Sequence, residues 1–281
     1  MLRWRLILGV MLVLAVVALG WLDAHAALPG VWLVPLAMVA AVLGGQEAME
    51  LLARPAPVWP VHLGNLLLVL AAWSPIVLRW PAGPYAVAAL AAAVWLLFVV
   101  VVGQYQAPGG NAARLAAMTL AVVYVGFMLT FAVDLRVQWG VGALASMVVV
   151  VKMGDTGAYT VGRLIGRHKM APKLSPGKTI EGALGALVFS VLGAWASLAL
   201  IGWASGTSAP GGWLAYGLLV GAAGMFGDLA ESFLKRDAGV KDSSRWLPGF
   251  GGVLDIIDSI LLAAPVAWAC WSWGLVGPGR P

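Results

Sequence analysis

Long apolar stretches recur along this chain of 281 residues, each about the length needed to cross a bilayer, and they leave few folds open to it. A helix rises about 1.5 Å per residue, so about 20 mostly apolar residues span the hydrocarbon core. Segments of this kind occur near 5–22, 28–45, 58–78, 84–103, 114–133, 139–160, 180–204, 211–235 and 252–275. Pro, Gly and charged residues punctuate them, as in Arg54-Pro55-Ala56-Pro57 and Ala107-Pro108-Gly109-Gly110. Lipid offers no partner for a free N–H or C=O, so runs of this length must close their hydrogen bonds internally as helices. Apolar residues make up 62% of the chain and charged ones 10%, which leaves no stretch polar enough for a separate soluble domain. The expectation is an all-α, polytopic transmembrane helical bundle of about nine spans. It forms a single membrane domain over 1–281, with scaffold spans in 1–138 and a chemically active half in 139–281.

Charge sets the orientation. With the N-terminus on the cytoplasmic side, 14 of the 17 Lys and Arg residues fall on that side. Only Arg79, Arg136 and Arg280 fall opposite. This asymmetry follows the positive-inside rule and predicts an N-in, C-out topology. It also accounts for the net charge of +5 without a nucleic-acid partner. The segment from Arg3 to Ala26 has the outline of a secretory leader ending in Ala24-His25-Ala26. Its apolar run from Leu6 to Leu22 is long enough to span, which favours a retained first helix. The one cysteine, Cys270, permits no internal disulfide.

The acidic residues divide unevenly. Asp23, Glu47, Glu50 and Asp134 sit at expected span ends, where solvated positions are anticipated. The other eight are Asp155, Glu181, Asp228, Glu231, Asp237, Asp242, Asp255 and Asp258. They lie close to or inside later spans, where a carboxylate is costly unless it meets a cavity, a partner or a metal. In Gly227-Asp228-Leu-Ala-Glu231-Ser232-Phe-Leu-Lys235-Arg236, helical spacing sets Asp228, Glu231, Ser232 and Lys235 on one stripe. Glu231 and Lys235 suit a structural ion pair, which leaves Asp228 unexplained one turn deeper. Asp255 and Asp258 are three apart at the head of the last span. A third cluster runs from Lys152 through Asp155 and Tyr159 to Ser175-Pro-Gly-Lys178-Thr179-Ile-Glu181.

Two motif readings fail. Gly177-Lys178-Thr179 ends like a Walker A loop, but the first required glycine falls at Pro172. The Asp237–Asp242 loop lacks EF-hand spacing. His25, His62 and His168 are scattered and form no zinc pattern. Carboxylates without clustered His or Cys suit a hard cation such as Mg²⁺, which takes phosphate oxygens into its shell. Lys, Arg, hydroxyl and glycine N–H groups suit phosphate. Together they predict metal-assisted phosphoryl or nucleotidyl transfer to a lipid.

The stretch from Ser232 to Asp258 closely resembles the signature of phosphatidate cytidylyltransferases. Its key residues are Lys235, Arg236, Lys241, Asp242, Pro248, Gly251, Gly252, Asp255 and Asp258. Gly227-Asp228-Leu-Ala-Glu231, Asp155-Thr-Gly-Ala-Tyr159 with Gly162-Arg163, and Pro172-Lys-Leu-Ser175-Pro-Gly-Lys178-Thr179-Ile-Glu181-Gly182 are similar to that family as well. Detailed similarity covers about 152–260. The resemblance implies transfer of a cytidylyl group from CTP to phosphatidate, with Mg²⁺, a companion K⁺ and a homodimer. It implies Asp228 and Asp255 as first metal ligands sharing one cation, with Asp258, Glu231 and Asp155 as further carboxylates. Lys178, Ser175, Lys235, Arg236 and Lys241 become phosphate contacts, with Thr179, Gly251 and Gly252 lining the substrate site. Two positions depart from the family: Phe250 replaces a usual His, and Ile256 a usual Arg. Phosphatidate brings its own anionic nucleophile, so loss of the histidine removes no required base. Competing expectations are a CTP-dependent polyprenol or lipid kinase, an inactive paralogue, and an ion-coupled transporter. The last would be expected to show an internal repeat, and the sequence has none.

Overall fold

The computed structural model describes residues 2–52, 57–79, 84–200, 211–244, 246 and 251–277. Among the described residues there are nine helices: α1 (Leu2–Ala24), α2 (Leu33–Leu52), α3 (Trp59–Leu78), α4 (Tyr85–Gly103), α5 (Asn111–Trp139), α6 (Val141–Ile165), α7 (Ile180–Leu200), α8 (Gly212–Asp237) and α9 (Leu254–Ser272). Each expected apolar segment is a helix over its described residues; 201–204 of the seventh lie outside them. Among the described residues, α2 to α9 are all long and apolar enough to cross a membrane, and α1 adds a shorter apolar stretch over Gly9–Ala24. Large apolar side chains stand exposed on several helices, Trp95 at 70% and Leu164 at 77% among them. In water such surfaces would drive aggregation; in lipid they are the solvated surface. The chain is a multi-pass membrane protein of helical-bundle architecture.

Residues pack into two compact units. The first comprises Met1–Val137 and Asp237–Ile257, so the loop before α9 and the first turn of α9 belong with α1 to α5. Asp23, expected at a solvated span end, is fully buried. Its carboxylate pairs with Arg136 and accepts the backbone N–H groups of Gly30 (3.2 Å), Trp32 (2.9 Å) and Leu33 (3.4 Å). These donors belong to the turn entering α2, whose first amides have no intrahelical partner. That turn delays α2 to Leu33, and the helix then runs on to Leu52, past the expected end near residue 45. Glu47, likewise expected in solvent, is therefore inside the helix and 6% exposed. At the centre of the unit Asn65 donates to the Ala41 carbonyl at 2.8 Å. A Cβ on Gly126 would come within 3.0 Å of Asn65 Cα, and α5 passes this crossing through a π-turn at Val122–Phe127.

The second unit holds Gln138–Arg236 and Asp258–Pro281. Helices α6 and α7 pack through small residues, the usual means of close approach where lipid supplies no hydrophobic drive. A Cβ on Gly157 would meet Phe189 Cβ at 2.6 Å, and one on Gly193 would meet Met153 Cβ at 3.1 Å. Ser190 bridges the pair by donating to the Val150 carbonyl at 3.2 Å. Between them lies the only sheet among the described residues, a hairpin of β1 (Lys169–Ala171) and β2 (Ser175–Thr179) that pairs Lys169 with Thr179 and Ala171 with Ser175. This hairpin hands the chain from one apolar helix to the next and carries the Ser175-to-Thr179 motif.

Candidate active site

The second unit gathers charges at one place. Lys178, on β2, pairs with Asp228 of α8 at 2.8 Å. Asp228 also accepts the Ser232 hydroxyl one turn on, at 3.4 Å. Gly227, the residue before it, sits directly against α9: a Cβ there would lie 2.6 Å from the Asp258 carbonyl oxygen and 2.9 Å from Ser259 Cα. Absence of a side chain at 227 is thus what lets the two backbones touch and brings Asp258 within electrostatic reach of Asp228. Asp258 is 7% exposed and accepts the Ser259 N–H at 2.5 Å. Lys152 of α6 closes the cluster. Its ammonium reaches Asp155 Oδ2 at 3.1 Å and Ser259 Oγ at 3.4 Å, and it lies within electrostatic reach of Asp258. Two ion pairs, Lys178–Asp228 and Lys152–Asp155, thus lie in the second unit with Asp258 under the electrostatic influence of Asp228 and Lys152.

The surrounding motif residues have mostly local partners. Thr179 is buried, and its hydroxyl accepts the Gly182 N–H at 3.1 Å, which makes it the N-cap of α7. Glu181 accepts the backbone N–H groups of Arg167 (3.1 Å) and His168 (3.2 Å) and meets His168 Nδ1 at 2.6 Å, pinning the strand-entry loop. Arg236 donates Nε–H to the Leu174 carbonyl at 3.2 Å, holding the hairpin turn to the end of α8. Glu231 is fully buried and paired with Lys235, as expected for an i, i+4 ion pair. Ser175 is half-buried on β2, and Tyr159 accepts from Arg163 at 2.5 Å.

A separate constellation forms in the first unit. Asp255 Oδ2 accepts the Ser243 N–H (2.9 Å), the Ser243 hydroxyl (2.6 Å) and the Gly252 N–H (2.7 Å). Glu47 accepts the Val253 N–H (3.0 Å), the Leu254 N–H (2.7 Å) and the Ser243 hydroxyl (2.9 Å). The two glycines fit because carboxylates crowd them. Gly251 has φ +86°, and a Cβ there would lie 2.8 Å from Asp255 Cγ; one on Gly252 would lie 2.5 Å from Glu47 Cδ. Lys241 and Asp242 are exposed on the loop. Phe250 lies outside the described residues, and Ile256 is half-buried in the first turn of α9.

The candidate residues thus fall into two groups. Asp155, Ser175, Lys178, Thr179, Asp228, Glu231, Lys235, Arg236 and Asp258 are in the second unit, while Lys241, Gly251, Gly252 and Asp255 are in the first. Lys152, expected at the head of the third cluster, had no role assigned from the sequence; Ser259 had no signal there, and Glu47 was expected in solvent. For Glu47 a signal existed: a helix continued to Leu52 would have placed an acid inside an apolar span. Among the described residues no three His, Cys, Asp or Glu side chains form a metal cage. Asp228 and Asp258 interact electrostatically, and carboxylates are the side chains with which Mg²⁺ would be held beside water and phosphate oxygens.

The sequence also compares closely with known proteins. A phosphatidate cytidylyltransferase of Staphylococcus aureus (strain COL) is 38% identical over 156 residues, 55% of this chain and 57% of that protein. One of Staphylococcus haemolyticus (strain JCSC1435) matches to the same extent. The chain thus spans 57% of the length of these staphylococcal relatives. Similarity to the phosphatidate cytidylyltransferase of Mycobacterium bovis (strain ATCC BAA-935 / AF2122/97) is broader: 33% identity over 258 residues, 85% of this chain and 80% of that protein. Residues 3–273 match the family described as the cytidylyltransferase family, and with that match covering all nine helices the chain belongs to it.

Proposed function

We propose that this chain transfers a cytidylyl group from CTP to phosphatidate, giving CDP-diacylglycerol and pyrophosphate, at the cytoplasmic face of the cell membrane. The observation that carries the reading is the second-unit cluster, in which Lys178 pairs with Asp228 and the backbone of α9 at Asp258 and Ser259 touches α8 at Gly227. Family membership supports a nucleotidyl transfer, and the names of the relatives support the lipid acceptor. The positive charge asymmetry supports the cytoplasmic side.

In this reading a phosphatidate phosphate oxygen attacks the α-phosphorus of CTP. The bond from that phosphorus to the bridging oxygen of the β-phosphate breaks, and pyrophosphate leaves with the electron pair. Because the nucleophile is already anionic, the chain has to align and neutralise rather than abstract a proton. Mg²⁺ held by Asp228 and Asp258 would draw charge from the phosphate oxygens. Lys178 and Lys152 are paired with carboxylates and stand ready to exchange those partners for phosphate. Asp228 sets the position of Lys178, and Asp155 that of Lys152. Arg236 keeps the hairpin turn, and with it Ser175, close to α8. Asp255, given a ligand role on the resemblance, is proposed to order the Lys241-bearing loop through Ser243 and Gly252. A K⁺ companion and a homodimer belong to the same reading, tested by K⁺ dependence and by the mass of the purified particle.

The deciding experiment supplies purified protein with phosphatidate, Mg²⁺ and CTP labelled at either the α- or the γ-phosphate. α-Label in the lipid, with release of pyrophosphate, is the expected result. γ-Label in the lipid with release of CDP identifies a lipid kinase instead. No labelled lipid in either arm identifies an inactive member.

A further inference from the structure

Glu47 stands in the half of the chain expected to be scaffold, yet it holds the start of α9. The N–H groups of Val253 and Leu254 head that helix and have no intrahelical partner. Glu47 of α2 accepts from both, one carboxylate oxygen to each, at 3.0 and 2.7 Å. A carboxylate at this position also meets the positive end of the helix dipole. Packing supports the contact. Gly44, one turn earlier on α2, lies against Leu254 and Ile257, and Leu254 is fully buried. The Ser243 hydroxyl lies 2.9 Å from Glu47 Oε2 and 2.6 Å from Asp255 Oδ2. Its single hydrogen serves one carboxylate at a time, so Ser243 couples Glu47 to Asp255.

We propose that Glu47 is a positioning residue that fixes the start of α9, the Asp255 carboxylate and, through Ser243, the loop segment Asp237–Ser244 that carries Lys241. The proposal rests on the cytidylyl-transfer reading and deepens it. It assigns the first half of the chain a direct part in ordering the substrate loop.

Glu47→Gln and Glu47→Ala test it, with Val39→Ala at an exposed position of the same helix as control. Two readouts are taken on the full chain in lipid nanodiscs: amide hydrogen exchange over Ser243–Leu254, and steady-state kinetics with CTP and phosphatidate. Gln keeps the size and one acceptor but turns an amide N–H₂ toward a donor, so it disturbs the contact without opening a hole. Exchange at Val253 and Leu254 is expected to rise about tenfold or more in both Glu47 variants. Turnover should fall between about tenfold and a hundredfold, the effect of a loosened substrate geometry, with both KM values within about threefold. Val39→Ala should change neither. Unaltered exchange in Glu47→Gln overturns the proposal whatever the activity. Raised exchange with unaltered turnover also overturns it, because Glu47 would then be a helix cap without influence on the reaction. If Glu47→Ala does not fold, the Gln variant decides. Should the unsubstituted chain form no nucleotidyl-lipid, the functional reading fails separately, and the exchange result alone decides whether Glu47 anchors the loop.

Discussion

Replacing Gly227 by alanine probes the contact on which the proposed metal site depends. A Cβ at this position would lie 2.9 Å from Ser259 Cα and 2.6 Å from the Asp258 carbonyl oxygen. Carbon atoms rest at about 3.5–4.0 Å, so α9 must recede from α8 by about 0.6 Å or more. Overpacking of this kind costs about 1–3 kcal/mol. Alanine returns up to about 1 kcal/mol through helix propensity, so the net loss of stability should be about 0–2 kcal/mol. Turnover should suffer more. Asp228 follows Gly227, and Asp258 is the residue being pushed, so their separation widens directly. A misplacement of about 1 Å at a reacting centre costs about a hundredfold, and a shift of about 0.6 Å should cost at least tenfold. The same helix provides the control. A Cβ on Gly224, one turn earlier, would meet the Val151 methyl groups at 3.4 Å, an ordinary contact. Gly224→Ala should match or exceed the parent in stability and keep turnover within about threefold. The assay is α-labelled CTP incorporation in nanodiscs, with thermal unfolding followed in parallel. Turnover within about threefold of the parent for Gly227→Ala would refute the claim that this crossing sets the carboxylate pair. Equal losses in both variants would show a general packing effect instead.

Asp228→Asn and Asp258→Asn keep size and remove charge; each should lower turnover at least about a hundredfold, since metal charge stabilisation is worth several kcal/mol. Added Mg²⁺ or Mn²⁺ should restore part of that loss, whereas a purely structural role for these carboxylates would leave the variants insensitive to metal concentration. For orientation, single cysteines at the exposed positions Lys173 and Ala27, in a Cys270→Ala background, should react with an impermeant thiol reagent from opposite sides of the membrane; same-side labelling would refute the charge-derived topology. The two departures from the family pattern are expected to be tolerated, so the unaltered chain should make CDP-lipid without Phe250→His and Ile256→Arg. Turnover that appears only in the double variant would mark the chain as a decayed member.

The nine apolar segments were legible in the sequence because the bilayer imposes one requirement, about 20 apolar residues with every backbone group satisfied internally, and local composition meets or fails it. The Glu231–Lys235 pair was legible for a similar reason, since helical spacing alone brings i and i+4 together. So were Lys178, Asp228 and Asp258 as candidates, since a charged group near an apolar span calls for a partner. Which partner each one has was not legible. Lys178 meets Asp228 across 50 positions of sequence, and Glu47 reaches Leu254 across 207. Such pairings depend on how each helix is rotated about its axis and which neighbour it touches, and these follow from packing over its whole length. Gly227 shows the point: in sequence it is one of 36 glycines, and only the approach of Asp258 and Ser259 makes it the residue at which α8 and α9 touch. Asp23 and Glu47 were misplaced into solvent because the turn that moves α2 to Leu33–Leu52 is held by a carboxylate whose ion-pair partner, Arg136, lies 113 residues away. Composition determined that this chain crosses a membrane and which residues had to be explained. Tertiary packing decided which of them stand together, because burying a charge is tolerable only where another element supplies its counterpart.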